Sequence, residues 1–140
     1  MIILDTNVLS EVMRPQPSAA VLRWLEGQRS LELFITTISQ AEILYGIELL
    51  PKGKRRNALR AQAESMFEED FGDRILPFDS DAAHASALIA AERRDIGSPI
   101  SDFDAEIASI ARSRTAAVAT RDTNDFANCG IEVLNPWDRG

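Results

Sequence analysis

The sequence predicts an α/β protein with a central, mainly parallel sheet of about five short strands between two layers of helices. Short apolar runs alternate along the chain with longer segments whose apolar residues recur at helical spacing. Strands separated by helices pair in parallel through right-handed crossovers. The strands carry few charges, which is typical of a sheet covered on both faces. With 140 residues, 45% of them hydrophobic, residues 1–140 are expected to form one domain.

The first half of the chain supplies two predicted strands and three predicted helices. IIL (2–4) is a short apolar run that an aspartate ends. PSAAVLRWLEGQ (17–28) has one apolar helical face, and LELFIT (31–36) has the composition of a strand. SQAEILYGIELL (39–50) has apolar residues at helical spacing, and the proline and glycine of PKG end it. KRRNALRAQAESMFEEDF (54–71) then completes a helical hairpin.

The second half supplies three more strands and two more helices. RILPF (74–78) is predicted as a strand, and DAAHASALIAAERRDIG (81–97) as a helix that its glycine ends. SDFDAEIASIARSR (101–114) is a further helix, and AAVAT (116–120) and IEVLN (131–135) are the last two strands. No repeat, linker or low-complexity segment interrupts the pattern.

The composition limits the classes of function. The formal net charge of −7 disfavours a protein that binds nucleic acid through bulk charge. The single cysteine excludes an internal disulfide, and one histidine without a CxxC pair argues against a zinc site. No apolar run approaches the roughly 18–20 residues that span a membrane, and MIILDTN is too short and too acidic for a signal peptide. We therefore expect a cytoplasmic protein.

Acidic residues fall where the predicted strands end. Asp5 directly follows the first strand, and Asp122 follows AAVAT by one residue. Glu42 lies in the predicted first turn of the helix after the second strand, and Asp104 in the first turn of the helix at 101–114. In parallel sheets, ligands bind beyond the carboxyl ends of the strands. Carboxylates gathered there repel one another unless a cation lies between them, and oxygen donors without Cys or His suit Mg²⁺ or Mn²⁺.

Each acid also has a purely structural interpretation. Ser39 with Glu42, and Ser101 with Asp104, fit the capping-box pattern of a helix start. Asp5 fits a cap for the turn that follows the first strand. Acids in a first helical turn are also favoured by the helix dipole. The residues alone leave both interpretations open.

Four segments resemble one known family in their order and spacing. They are ILDTNVLSE, TTISQAEILYGI, SPISDFDAEIASIA and VATRDTNDF, the last followed by GIEVLNPW. On these segments the chain resembles the PIN-domain ribonucleases of the VapC-like (FitB-like) type II toxin family. No single motif is specific, but four in order over nearly the whole chain are. The resemblance implies a PIN-like three-layer α/β/α fold.

Carried over position by position, the resemblance implies the catalytic acids Asp5, Glu42, Asp104 and Asp122. Three of these, Asp5, Asp104 and Asp122, are implied as metal ligands. The fourth position has two candidates, because Asp125 is also acidic. Asp122 lies closer to the strand end and is preferred, although it also fits an Asx-turn, and Asp125 is assigned to a helix cap or a supporting position. The residues expected to orient these carboxylates by hydrogen bonds are Asn7 and Thr120.

The same resemblance implies an activity and its partners. The expected activity is Mg²⁺-dependent endoribonucleolytic hydrolysis, with Mn²⁺ as an alternative ion and tRNA or rRNA as substrate. The expected products carry a 5′-phosphate and a 3′-hydroxyl. A bound metal would activate water and neutralise phosphate charge, while Glu42 or Asp122 positions or deprotonates that water. The implied partners are a cognate VapB-like antitoxin and a second copy of the chain, with higher hetero-oligomers that include antitoxin and DNA.

Basic residues are the candidates for RNA contacts. One cluster occupies the turn of the helical hairpin and comprises Lys52, Lys54, Arg55 and Arg56. A solvated turn is the simpler interpretation of this cluster. Arg121 is expected to touch either RNA or a site carboxylate, and the further candidates are Arg93, Arg94, Arg112 and Arg114. With 6% aromatic residues, no stacking platform is expected, and Trp24 and Trp137 are assigned to the core or an interface.

Two other functions compete with this interpretation. A phosphatase or phosphotransferase of the haloacid-dehalogenase or receiver type also places an aspartate after its first strand. The DxD arrangement is missing, since Thr6 and Asn7 follow Asp5, and no lysine stands near the later strand ends. The main alternative is a non-catalytic acidic module that acts with an antitoxin-like DNA-binding protein. The presence of all four acids argues against a decayed site.

Overall fold

A computed structural model describes residues 1–138 and places five parallel strands in one sheet. The strands are β1 (Ile2–Leu4), β2 (Leu33–Thr36), β3 (Ile75–Leu76), β4 (Ala117–Ala119) and β5 (Val133–Leu134). Their order across the sheet is β3-β2-β1-β4-β5, and every pairing is parallel. The predicted α/β class and strand count are confirmed.

The helices lie on both sides of this sheet. They are α1 (Thr6–Val12), α2 (Ala19–Glu26), α3 (Thr37–Glu48), α4 (Lys54–Ser65), α5 (Ser80–Asp95) and α6 (Asp102–Ser113). Short 3₁₀ segments cover Ser30–Glu32 and Thr123–Phe126, and a π-helical segment covers Met66–Phe71. No helix among the described residues is both long and apolar enough to cross a membrane.

Helices α1 and α4 differ most from the prediction. Helix α1 was missed, because it begins one residue after β1 and is only seven residues long. Asp5 follows the strand and caps what comes after it, as expected, but what it caps is helix α1 and not a turn. The helix predicted over 54–71 is α-helical only to Ser65, after which the π-helical segment turns Met66, Phe67 and Phe71 into the core.

Alternate residues of each strand point into two separate cores. Ile3 and Val118 face the cluster beneath α5 and α6, which includes the fully buried Ile107. Leu4 and Ala119 face the cluster beneath α1, α3 and α4. This alternation follows from the strand period of two, and it confirms a sheet that is covered on both faces. Truncating Ile107 to alanine is expected to cost about 2–5 kcal/mol of stability.

The strand order has a switch point at its centre. From β1 the chain moves outward through β2 to β3, then crosses back to β4 on the other side of β1. The carboxyl ends of β1 and β4 therefore lie side by side, and the loops that leave them diverge to open a crevice. The backbone N–H of Asp5 donates to the Ala119 carbonyl at 2.9 Å, which fixes the two strand ends together.

Candidate active site

An open cleft of about 460 Å³ lies at this strand edge, and we call it the acidic cleft. All four predicted acids line it. Its lining residues are Asp5, Thr6, Asn7, Ser10, Glu11, Arg14, Glu42, Asp104, Arg121, Asp122 and Trp137. The structure therefore brings together carboxylates that are up to 117 positions apart in the sequence.

Asp5 is the most deeply placed of these acids. Its side chain is only 6% exposed, and it accepts hydrogen bonds from the Thr6 backbone N–H and the Thr120 hydroxyl, both at 2.8 Å. The pKa of Asp5 is raised to about 6, chiefly by burial and also by the nearby charges of Asp104 and Glu42, while the hydrogen bonds from Thr120 and Thr6 act in the opposite direction. The carboxylate is thus held in place in an environment that disfavours its negative charge.

Glu42 reaches the acidic cleft from the second turn of α3. Its Oε1 accepts a 2.8 Å hydrogen bond from the Thr6 hydroxyl, which also lies 2.8 Å from Ser39 Oγ. The predicted capping box of Ser39 with Glu42 is wrong. The helix starts two residues earlier, and Thr36 caps it by accepting from the Ser39 N–H at 3.1 Å. Glu42 is therefore free of a capping role.

Asp104 enters the acidic cleft from the start of α6. The Ser101 hydroxyl accepts from the Asp104 N–H at 3.3 Å, so the predicted cap exists. Partial burial raises the pKa of the Asp104 carboxyl, and the charges of Asp125 and Asp122 raise it as well, while Ser101 and Arg93 lower it. The helix start is thus compatible with both interpretations: Ser101 caps it, and Asp104 faces the other acids.

Asp122 is tied to the strand ends through two predicted orienting residues. Asn7 Nδ2 lies 3.2 Å from both Thr120 Oγ1 and Asp122 Oδ2. The Asp122 backbone N–H donates to Thr120 Oγ1 at 3.0 Å. Asp122 lines the acidic cleft, whereas Asp125 is not among the lining residues and acts on the site through its charge on Asp104.

Arg93, predicted as a phosphate contact, is instead a buried structural residue. It is 4% exposed, and its guanidinium donates to the carbonyls of Ser98, Asp125 and Ala127 at 2.6, 2.8 and 3.0 Å. It therefore joins α5 to the loop before Asp104 and to the segment after Asp122. The local sequence ERRDIG is typical of a solvent-exposed helix end, and nothing in it indicates that Arg93 is buried.

The other basic candidates occupy varied surroundings. Arg112 faces Glu92 at 3.3 Å, and Arg114 faces Asp79 at 3.5 Å. In the hairpin turn, Arg56 pairs with Glu48, while Lys52 and Lys54 are exposed. Arg55 lines a neighbouring apolar groove, formed by Thr6, Ser10, Met13, Arg14, Pro15, Glu42, Ile43, Gly46, Ile47, Leu50, Arg55 and Leu59.

Five residues that line the acidic cleft carried no functional expectation, namely Thr6, Ser10, Glu11, Arg14 and Trp137. Glu11 is buried and accepts from Arg14 at 3.3 Å and from the Ser18 N–H at 3.0 Å, so it connects α1 to the start of α2. Trp137, assigned to the core or an interface, lines the acidic cleft with Arg121 against its ring. The expectation that Arg121 contacts a site carboxylate is not met within residues 1–138.

Comparison with known proteins places this arrangement in a family. The family model for the PIN domain matches residues 2–131. The chain belongs to the PIN-domain family. The PIN-like fold inferred from the four motifs is thereby confirmed, and the relatives described next confirm the VapC-like resemblance.

Relatives match this PIN domain over nearly their whole length. It is 38% identical to VapC ribonuclease Y4jK of Sinorhizobium fredii over 138 residues, covering 99% of both chains. It is 39% identical to Toxin FitB of Neisseria gonorrhoeae over 137 residues, covering 98% of this chain and 99% of the relative. The solved structure of FitAB bound to an IR36 DNA fragment superposes with a TM-score of 0.94 at 38% identity, covering 100% of this chain and 98% of that one.

The donor chemistry of the acidic cleft suits a hard divalent cation. Within residues 1–138, no three His, Cys, Asp or Glu side chains stand close enough to hold a metal among themselves. Nevertheless, Asp104 and Glu42 raise the pKa of Asp5, so the carboxylates interact repulsively through space. Mg²⁺ is commonly held by one or two carboxylates and completes its shell with water and phosphate oxygens. The negative charge of the cleft and its oxygen donors therefore suit a divalent cation that keeps part of its water shell.

Proposed function

We propose that this PIN-domain protein is a Mg²⁺-dependent endoribonuclease that acts as the toxin of a type II toxin-antitoxin system. The supporting observation is the convergence of Asp5, Glu42, Asp104 and Asp122 on one open cleft at the switch point of the sheet. The similarity to a VapC ribonuclease and to a toxin agrees with this proposal. The proposed substrates are tRNA or rRNA, cut to leave a 5′-phosphate and a 3′-hydroxyl.

The carboxylates have different roles in this proposal. Asp5, Asp104 and Asp122 would hold one or two Mg²⁺ ions, with Mn²⁺ as an alternative, each ion bound by one or two of these carboxylates and otherwise by water and phosphate oxygens. Asp5 is the fixed ligand, because Thr6 and Thr120 already orient its two oxygens. A bound ion would lower the pKa of a water molecule and offset phosphate charge.

Glu42 positions the attacking water in this scheme. Its Oε1 is oriented by Thr6, and its other oxygen makes no hydrogen bond within the described residues. Asn7 holds Asp122 toward the strand ends, so Asp122 keeps its place when substrate enters. The net charge of −7 opposes RNA binding less once a cation is bound, since without the charges of these four acids the net charge of the chain would be about −3.

An antitoxin is the proposed regulatory partner. The apolar groove shares Thr6, Ser10, Arg14 and Glu42 with the acidic cleft, so a bound peptide lying in the groove would reach the acids. The similar FitAB structure is of a complex bound to DNA. By analogy we propose a homodimer of this chain that binds a VapB-like antitoxin and, through it, DNA. Full cleavage activity in a saturated complex with the cognate antitoxin would contradict inhibition by this partner.

The first experiment is cleavage of a mixed tRNA and rRNA pool by purified protein, with Mg²⁺ and with chelator. Wild type is expected to make discrete Mg²⁺-dependent cuts with 5′-phosphate ends, whereas Asp5→Asn and Asp104→Asn are expected to be inactive. Asp102→Asn is the matched control, because Asp102 starts the same helix but is exposed and lies outside the acidic cleft. Equal activity of wild type and Asp5→Asn would refute the assignment.

A further inference from the structure

A cationic and an aromatic side chain meet at one side of the acidic cleft. The Arg121 guanidinium carbon lies 5.4 Å from the centre of the Trp137 ring, within the range of about 6 Å for cation–π attraction. Both side chains line the cleft beside Asp122. Trp137 packs partly against the core beneath α1, and its backbone N–H donates to Asn135 Oδ1 at 2.9 Å. The ring is therefore anchored while part of its surface stays open.

Among residues 1–138, Arg121 is a cation without a carboxylate partner in acidic surroundings. Its side chain makes no ion pair with a carboxylate of residues 1–138, although acids line the same cleft. Arg14, the other arginine of the cleft, is engaged by Glu11 at 3.3 Å. The Arg121 backbone is fixed, because its N–H donates to Asn7 Oδ1 at 3.4 Å. The Arg121 guanidinium therefore lies against the Trp137 ring with its donors available to an anion.

We propose that Arg121 and Trp137 form a nucleotide subsite for the residue of RNA that flanks the cleaved phosphate. This inference rests on the proposed function. The planar guanidinium suits bidentate binding of phosphate oxygens, and indole and guanidinium surfaces both stack on unpaired bases. A fixed cation at this point offsets the repulsion between RNA and the neighbouring acids. Every base has a π-face, so stacking does not depend on which base is present. The subsite is therefore expected to recognise unpaired nucleotides and to discriminate little between bases.

Binding without cleavage tests the two side chains separately. The probes are a labelled RNA of about 12 nucleotides and a ribose-phosphate chain of the same length without bases. In an Asp5→Asn background with chelator, adding Arg121→Ala is expected to weaken both probes and to reduce the slope of log K against log salt by about 0.7. Adding Trp137→Ala is expected to weaken the RNA by roughly 5- to 100-fold and the base-free chain much less.

The second tryptophan of the chain provides a control and an independent readout. Trp24 lines a separate depression with Ala20, Arg23 and Asp138, so Trp24→Phe is expected to leave RNA affinity unchanged. Trp24→Phe also makes Trp137 the sole tryptophan. Its emission is expected to change on RNA binding with the same Kd as the labelled probe, and this measurement retains the Trp137 packing.

The outcomes separate this subsite from the proposed function. An unchanged salt slope in Arg121→Ala, equal losses for both probes in Trp137→Ala, or a Trp137 emission that RNA does not alter would overturn the subsite. If wild type cuts RNA and Asp5→Asn binds it, such a result refutes the subsite alone. If wild type cuts no RNA and Asp5→Asn binds none, the proposed function fails and the subsite fails with it.

Discussion

The hydroxyl of Thr120 donates a 2.8 Å hydrogen bond to Asp5 Oδ2 and joins the carboxyl ends of β4 and β1 at the bottom of the acidic cleft. Thr120 is fully buried, and its oxygen also accepts from the Asp122 N–H at 3.0 Å and from Asn7 Nδ2 at 3.2 Å. One hydroxyl therefore connects two of the four acids and the amide that orients one of them.

Thr120→Val tests this connection, because valine keeps the side-chain shape and removes the oxygen. The change leaves the partly buried Asp122 N–H without its acceptor and Asp5 Oδ2 without its donor, so we expect a loss of about 1–3 kcal/mol in the free energy of unfolding. Urea denaturation measures it. Thr120→Ser keeps the hydroxyl and is the matched control. The hydrogen bond lowers the pKa of Asp5, so the valine variant is also expected to raise that pKa above its wild-type value. Equal stability of the valine and serine variants would refute the role of the oxygen.

Asp5→Asn is expected to stabilise the protein at neutral pH while abolishing cleavage. The pKa of Asp5 is about 6 in the folded protein against 3.8 unfolded, so between these values the folded state binds more protons. The free energy of unfolding of wild type therefore falls as pH rises through this window, by up to about 3 kcal/mol. The asparagine variant lacks this fall and is more stable at pH 7.

Urea denaturation between pH 4 and pH 8 (roughly the interval over which Asp5 titrates) measures the difference. Asp102→Asn removes an exposed carboxylate from the first turn of α6 and is the control for general loss of negative charge. Its stability is expected to change by only a few tenths of a kcal/mol. A wild-type profile parallel to that of Asp5→Asn would show that Asp5 ionises normally.

The position of Asp5 and Asp122 could be predicted from sequence because parallel strands end at a common edge. Each of these acids lies one or two positions after a short apolar run. The sequence therefore indicates that both lie at the carboxyl-terminal edge of the sheet. Asp104 is different, since it precedes a helix and its location depends on how α6 packs. Hydrophobic periodicity does not place Asp104 at the site, and this assignment came from the resemblance to the PIN-domain family.

Other parts of the site depend on contacts between distant segments. Arg93 is buried because it donates to the carbonyls of Asp125 and Ala127, which lie more than 30 positions away in the sequence. From the local sequence alone, an arginine at a helix end is expected to be exposed to solvent. Trp137 and Arg121 meet because β4 and β5 are neighbours in the sheet, which the order of strands in the sequence does not state. Helix α1 was missed because its seven residues are too few to show helical periodicity.

Divalent cations are expected to stabilise the protein by relieving repulsion in the acidic cleft. An ion that binds only the folded state stabilises it by about 2.7 kcal/mol at a concentration of 100 times Kd. Mn²⁺ is therefore expected to raise Tm, and a chelator to reverse the increase. Asp104→Asn is expected to reduce the increase, and Asp102→Asn to preserve it. A Tm that Mn²⁺ raises equally in both variants would place the ion elsewhere.

Arg93→Met is expected to destabilise the protein by at least about 3 kcal/mol, because methionine fits the buried space but donates no hydrogen bonds. The carbonyls of Ser98, Asp125 and Ala127 then lose a shared donor. Two segments that carry site acids lose the connection to α5, so amide exchange is expected to quicken at 98–104 and 122–127 before the rest of the chain.

The neighbouring residue provides the matched control for this prediction. Arg94 has the same side chain on the same helix turn and is exposed, so Arg94→Met is expected to leave stability within about 0.5 kcal/mol of wild type. Arg93→Lys keeps the charge with fewer donors in a different geometry, and an intermediate loss is expected. Urea denaturation and hydrogen exchange compare the three variants. If Arg93→Met behaved like Arg94→Met, the carbonyl contacts would contribute no stability, and the relative placement of Asp104 and Asp122 would have to come from the packing of α6 alone.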